Sequence, residues 1–361
     1  MPKKRPEGKL YLVTGGAGFI GSCFVLDCLA RKQAAVLNLD KLTYSGNLQN
    51  LAAVMDDPRH IFATGDIGDT ALVDELLENY APEAIINFAA ESHVDRSIVD
   101  PTPFVDANVA GLCSFLGATL RWWRKLPAGQ AATFRFLHIS TDEVFGSLGP
   151  TDPAFTEKTP YAPNSPYSAS KAASDHFVRA FHETYGLPTL ITNCSNNYGP
   201  RQFPEKLIPL VLLNALSGRD IPIYGKGDNV RDWLHVEDHC AAINLTLERG
   251  TPGESYNIGG RSERRNLEVI EAICALLDKV RPDPQGHYAR LIRHVQDRPG
   301  HDRRYAIDCG KIEHELGWKP AHDFTRGLAE TVDWYLNNPD WLAAVQSGAY
   351  RNWVEKNYHN R

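Results

Sequence analysis

Short, continuous apolar runs alternate with longer stretches of helical spacing along the first half of the chain. Runs lie at residues 10–14, 36–40, 84–89 and 134–140, and the segments 20–31, 72–80 and 105–125 between them have the length and periodicity of helices. Apolar runs too short for helices are strands buried on both faces, and their alternation with helices predicts a parallel sheet covered on each side. Residues 189–193 add a further strand. Beyond Gly199 the texture changes. Pro200, Pro204, Pro209, Gly218, Pro222, Gly225 and Gly227 break the pattern into shorter pieces, which predicts a smaller, less regular lobe. A core-facing helix expected over 233–248 implies that this lobe is interleaved with the first. Linkers are expected over 146–163 and 199–204.

Composition narrows the class. At 361 residues and 43% hydrophobic content, the chain exceeds what one core supports, so two joined lobes are expected. A net charge of −6 gives no basic field for nucleic acid. The cysteines at 23, 28, 113, 194, 240, 274 and 309 are odd in number and never spaced C-x-x-C, the pattern of a reduced, cytoplasmic chain. No stretch reads as a membrane span or signal peptide; Lys3-Lys4-Arg5 reads as a solvated tail and the glycosylation matches at Asn193 and Asn244 as chance.

Chemistry enters at Thr14-Gly15-Gly16-Ala17-Gly18-Phe19-Ile20-Gly21, between the first strand and the first helix. Gly15, Gly18 and Gly21 permit a tight turn, backbone approach to a pyrophosphate and close helix–strand packing, and the helix N-terminus offers free N–H groups to the anion. Asp40 ends the second strand, nineteen residues after Gly21. A carboxylate there accepts hydrogen bonds from ribose hydroxyls and repels a 2′-phosphate, so the expected cofactor is NAD. Gly65-Asp66-Ile67 follows the third strand region, where an adenine ring would meet a side-chain acid and an N–H.

Ser165-Pro166-Tyr167-Ser168-Ala169-Ser170-Lys171 reads as a helix start, with Ser165 the N-cap and Pro166 at the first helical position. Tyr167 and Lys171 then share one face. An ammonium beside a phenol, together with a positive nicotinamide ring, favours the phenolate and suits it to take a proton from an alcohol. His138-Ile139-Ser140-Thr141-Asp142-Glu143 ends the 134–140 strand, at the edge where parallel sheets place ligands. Adjacent carboxylates there are costly to bury but serve as an acid and base pair if their pKa values are driven apart; solvated loop acids are the plainer alternative. His235-Val236-Glu237-Asp238-His239 is not His-Glu-x-x-His and shows no third ligand, so it reads as a helix start with polar capping, and no metal is expected. Trp122-Trp123-Arg124 reads as core or subunit-interface packing.

With these residues together, the sequence resembles the bacterial dTDP-glucose 4,6-dehydratases, a family of the extended short-chain dehydrogenase/reductases, over nearly its whole length. Thr-Asp-Glu at 141–143 resembles 4,6-dehydratases in general. Phe203-Pro204-Glu205-Lys206-Leu207-Ile208-Pro209 and Asp297-Arg298-Pro299-Gly300-His301-Asp302 resemble the dTDP-glucose branch. Phe145 departs from the tyrosine usual in the family, outside the catalytic pair.

The resemblance implies a Rossmann-type doubly wound parallel sheet over 1–190 plus 232–262, with a smaller nucleotide-sugar-binding lobe over 191–231 plus 263–361. It implies that Thr141, Asp142, Glu143, Tyr167 and Lys171 are catalytic. Beside Gly15, Gly18, Phe19, Ile20 and Gly21, the implied NAD contacts are Asp40, Lys41, Thr43, Asp66, Ile67, Ala89, Ala90, Ser92, Asn108 and Asn197, with Tyr167 and Lys171. Implied substrate contacts are Ser92, His93, Thr141, Asn196, Lys206, Leu207, Pro222, Tyr224, Arg231, Asn266, Arg298, His301 and Tyr358; guanidinium groups at Arg231 and Arg298 suit a diphosphate. It also implies a homodimer through the helices starting near Pro103 and Tyr167, and a place in deoxysugar biosynthesis of the dTDP-rhamnose type, as for lipopolysaccharide O-antigen. The rivals are a UDP-sugar 4-epimerase, a UDP-glucose 4,6-dehydratase and a catalytically silent NAD-binding sensor.

Overall fold

The computed structural model describes residues 4–345. The strands are β1 (Leu10–Thr14), β2 (Ala35–Asp40), β3 (His60–Thr64), β4 (Ala84–Asn87), β5 (Arg135–Thr141), β6 (Thr189–Cys194), β7 (Asn196–Tyr198), β8 (Ile221–Tyr224), β9 (Val230–His235), β10 (Ser255–Ile258), β11 (Glu263–Arg265) and β12 (Ile292–Val295). Seven of them form one parallel sheet in the order β10-β6-β5-β4-β1-β2-β3. The order reverses between β1 and β4, which opens the crevice where doubly wound sheets bind ligands.

The strands are buried along nearly their whole length because helices cover both faces. Phe24, Val25, Cys28, Ile243 and Leu247 pack on one face with Val13 and Val36; Val73, Leu77, Leu112, Phe115 and Val178 pack on the other with Leu12 and Leu37. A separate core, including Ile208, Leu212, Ile223, Trp233, Ile270 and Leu328, sits in the second lobe with the small sheets β11-β9-β7 and β12-β8.

Five expectations change. The helix expected over 233–248 is β9 followed by the Val236–Arg249 helix, since Val230–His235 pairs with both β7 and β11. The stretch 146–163 is packed, not a free linker: Phe155 pairs with Ile307 and shares a cluster with Val144, Phe145 and Tyr305. Ile307, Ile312, Leu316 and Trp318 join the core of the large sheet, because the Gly310–Leu316 helix lies against β10, whereas the resemblance implies the second lobe for this stretch. The 105–125 helix contains a π-turn over Val105–Gly111 before Leu112–Trp123. Contrary to expectation, Thr102–Trp123 is long and apolar enough to cross a membrane, but half of it is buried, with the Thr70–Tyr80 and Pro166–Tyr185 helices packed against it.

Candidate active site

A cleft of about 850 Å³ opens over the carboxyl ends of the strands. Its walls include Gly15, Gly18, Phe19, Ile20, Gly21, Asp40, Lys41, Thr43, Asp66, Ile67, Ala89, Ala90 and Ser92 from the first half of the sheet. They meet Thr141, Asp142, Glu143, Tyr167, Lys171, Asn196, Asn197 and Lys206.

The glycine turn is demanded by geometry. Gly15 has φ +69°, and a Cβ there would lie 2.7 Å from the Ala89 backbone nitrogen across the strand crevice. Asp40 is buried, its two oxygens accepting hydrogen bonds from the Ala17 and Leu42 N–H groups at 2.8 Å each. Burial raises its carboxyl pKa and those two bonds pull it back. A carboxylate braced on one side keeps lone pairs for hydroxyls on the other. The donor-rich turn and this fixed carboxylate fit the pyrophosphate and adenosine ribose of NAD.

Ser165 caps the Pro166–Tyr185 helix reciprocally with Ser168, with Pro166 in the first turn, which fixes Tyr167 and Lys171 one turn apart. Their relation differs from expectation. Lys171 Nζ donates to the Ile139 carbonyl at 2.8 Å and lies 3.1 Å from His138 Nε2, turned toward the strand. Burial lowers Lys171 to about 8, against the pull of Asp175. The Tyr167 phenol is driven well above its usual value by burial and Glu143, while a hydrogen bond with Thr141 pulls the other way. A fixed positive charge in the cleft, as a nicotinamide cation supplies, is what reverses that balance.

The two acids at the end of β5 are driven to different degrees. Asp142 is 1% exposed, and burial with Glu143 and Asp232 raises its carboxyl well above the usual range. Glu143 is half-buried; burial raises it too, but Arg298, Lys206 and Arg231 pull it down. Asp142 is thus shifted further toward its protonated form than Glu143.

The other implied residues divide. Tyr224, Arg298 and His301 gather at Asp95: Tyr224 donates to its Oδ2 at 2.9 Å, Arg298 Nη1 lies 2.9 Å from Oδ1, and His301 packs edge-on to Tyr224. Arg231 is buried over the Tyr305 ring and donates to the Asp302 carbonyl, within the field of Glu143. Tyr224, Arg231, Arg298 and His301 stand outside the cleft lining, as do His93, Leu207, Pro222 and Asn266. Asn108 stands outside it too, since its amide is spent on the Glu91 backbone and Ser170, all at 2.9 Å. Tyr358 lies outside the described residues.

Two neighbours escaped sequence reasoning. His138 is 2% exposed and links Lys171 to Asn87, whose amide is 3.0 Å from its Nδ1; a histidine inside an apolar strand gave no signal. Glu205 lines the cleft beside Lys206 and accepts from Arg96 Nε at 3.2 Å. Its place in the Phe-Pro-Glu-Lys run was the available clue.

The family model of GDP-mannose 4,6 dehydratase matches residues 12–331. The dTDP-glucose 4,6-dehydratase of Xanthomonas campestris pv. campestris is 60% identical over 342 residues, covering 94% of this chain and 97% of its own. The Streptomyces venezuelae dTDP-glucose 4,6-dehydratase solved with NAD and TYD bound is 48% identical with a TM-score of 0.85, covering 93% of this chain and all of that one. The Bacillus anthracis enzyme of the same name, in complex with NAD, is 46% identical with a TM-score of 0.83, covering 94% of this chain and 100% of its own.

Proposed function

Because the chain belongs to the dTDP-glucose 4,6-dehydratase family, we propose that its cleft converts dTDP-glucose to dTDP-4-keto-6-deoxyglucose and water. The enzyme is an NAD-dependent hydro-lyase. The observation that carries this reading is the acid pair Asp142-Glu143 in one cleft with Tyr167 and Lys171.

Gly15, Gly18, Gly21 and the first turn of the following helix hold the cofactor pyrophosphate, and Asp40 holds the adenosine ribose. NAD held there would supply a reversible hydride acceptor between C4 and C6 of the glucose, so that no external reductant is consumed. Tyr167 takes the proton of the 4-hydroxyl, with the Thr141 hydroxyl on the same oxygen and Lys171 supplying positive potential. The ketone formed at C4 acidifies the C5 proton by conjugation, and Glu143 removes it. Asp142, held protonated by burial, gives its proton to the departing 6-hydroxyl, which leaves as water. Glu143 then returns a proton to C5, and the proton taken by Tyr167 balances the one lost from Asp142. Lys206, Arg231 and Arg298 carry the charge to hold the diphosphate, and Asn196, whose Oδ1 has no partner among the described residues, faces the sugar side.

An epimerase also oxidises C4 but eliminates nothing, and the raised pKa of Asp142 would then serve no step. The two-domain division, with 1–190 and 232–262 binding NAD and the remainder the nucleotide sugar, is part of this reading, with 307–318 moved to the first. Exposed Val99, Val105 and Phe177 on adjoining helices support a homodimer built on that face. Seven free cysteines support a cytoplasmic enzyme, feeding deoxysugar synthesis of the dTDP-rhamnose type. Incubation with dTDP-glucose and with UDP-glucose, followed by mass detection of water loss, tests the assignment. Dehydration of dTDP-glucose is expected, and no product from either sugar overturns it.

A further inference from the structure

The run from His235 to His239 lacked a third metal ligand in the sequence, and the fold brings one from far along the chain. His235 ends β9, Glu237 stands in the first turn of the Val236–Arg249 helix, and His322 precedes the Phe324–Asn337 helix. One ring nitrogen from each histidine and a Glu237 carboxylate oxygen all lie within 4.8 Å of one another. None of the three lines the catalytic cleft.

Two further observations point to a bound cation. His235 is 4% exposed, yet neither ring nitrogen has a hydrogen-bond partner among the described residues. Leaving buried imidazole nitrogens unsatisfied is costly, and a ligand relieves the cost. His322 is already oriented. Its Nδ1 lies 3.0 Å from Asp238 Oδ1, and the Asp238 carboxylate also accepts the His322 backbone N–H at 2.9 Å. That orients the ring so that Nε2 lies 3.7 Å from Glu237 Oε2 and 3.7 Å from Glu330 Oε2. A carboxylate on one imidazole nitrogen, aiming the other at the ion, is the outer-shell arrangement of histidine metal sites.

We propose that His235, His322 and Glu237 bind a divalent transition cation of the zinc class, with Glu330 in reach of a fourth position. Two imidazoles with carboxylates suit such an ion, whereas magnesium and calcium select oxygen donors. The histidine rings now stack at 4.0 Å and 28°, so loading turns them until their in-plane lone pairs converge. Gly327 packs against the His235 ring, and a Cβ there would crowd His235 Cδ2 at 3.3 Å. The bound ion ties the end of β9 to the Phe324–Asn337 helix and stabilises the folded chain by linkage.

The test uses the full chain, stripped with chelator and titrated with zinc by calorimetry and with cobalt(II) by visible absorption. One ion per chain is expected, with a cobalt spectrum free of thiolate charge transfer and a rise in Tm on zinc addition. Glu237→Gln, at an exposed position, should weaken binding by about tenfold or more, and His235→Phe, which keeps the ring packing, should abolish it. No saturable binding, a thiolate band from the cysteines, or unchanged affinity in Glu237→Gln would each overturn the proposal.

Discussion

Lys171 Nζ lies 3.1 Å from His138 Nε2, both side chains 2% exposed, so the lysine of the Tyr-x-x-x-Lys pair is held by the strand beneath it and not by the phenol. On the proposed mechanism its charge acts on Tyr167 through space and not through a hydrogen bond. Burial lowers Lys171 to about 8, so the ammonium is present below that pH and lost as pH rises through it. We expect kcat to fall on the alkaline side with an apparent pKa near 8. Lys171→Arg, slower but charged throughout, should lack that limb in the same pH–rate profile; a limb that persists in the arginine variant assigns it to another group.

Glu143 is the less strongly raised of the two acids and is assigned as the base. Glu143→Gln should retain NAD binding by calorimetry while dehydration slows by about a hundredfold or more. Dehydration at the wild-type rate removes the assignment.

On the proposed reading Asp40 holds the adenosine ribose, where a 2′-phosphate would approach. Asp40→Ser should lower affinity for NAD and raise relative affinity for NADP by about tenfold, roughly 1.4 kcal/mol. Titration of both nucleotides against both proteins measures it, and an unchanged ratio contradicts the role.

Glu205 offers a stability test. Burial raises its carboxyl from 4.5 to about 7, outweighing Lys206 and Arg96. The folded state then binds the proton more tightly than the unfolded chain, so this contribution is full below about pH 4.5 and lost as pH rises through 7. The loss is about 3 kcal/mol at 1.36 kcal/mol per unit. Urea unfolding at pH 5 and pH 8 should show a smaller fall for Glu205→Gln than for wild type, while equal falls contradict it.

Local signals made much of this legible. The runs at 10–14, 36–40, 134–140 and 189–193 are strands to within a residue because burial on both faces demands unbroken apolar sequence. Ser165 and Pro166 announced their helix because capping is chemistry of adjacent residues. What stayed hidden depends on distant partners. β9 reads as helical until β7 and β11 pair with it, and 146–163 reads as a linker until Ile307 meets Phe155. The cleft residues of the first lobe were legible from motifs. The turn of Lys171 toward His138, the gathering of Tyr224 and Arg298 on Asp95, and the approach of His322 to His235 are all products of tertiary packing.

The central claim is that one cleft oxidises C4, expels the 6-hydroxyl and returns the same hydride to C6. Incubation with dTDP-glucose carrying deuterium at C4, with the product read by NMR, tests it most directly. The account predicts dTDP-4-keto-6-deoxyglucose with that deuterium in the C6 methyl group and a proton exchanged from solvent at C5. A dehydrated product without deuterium at C6, or a C4 epimer with no loss of water, would contradict it.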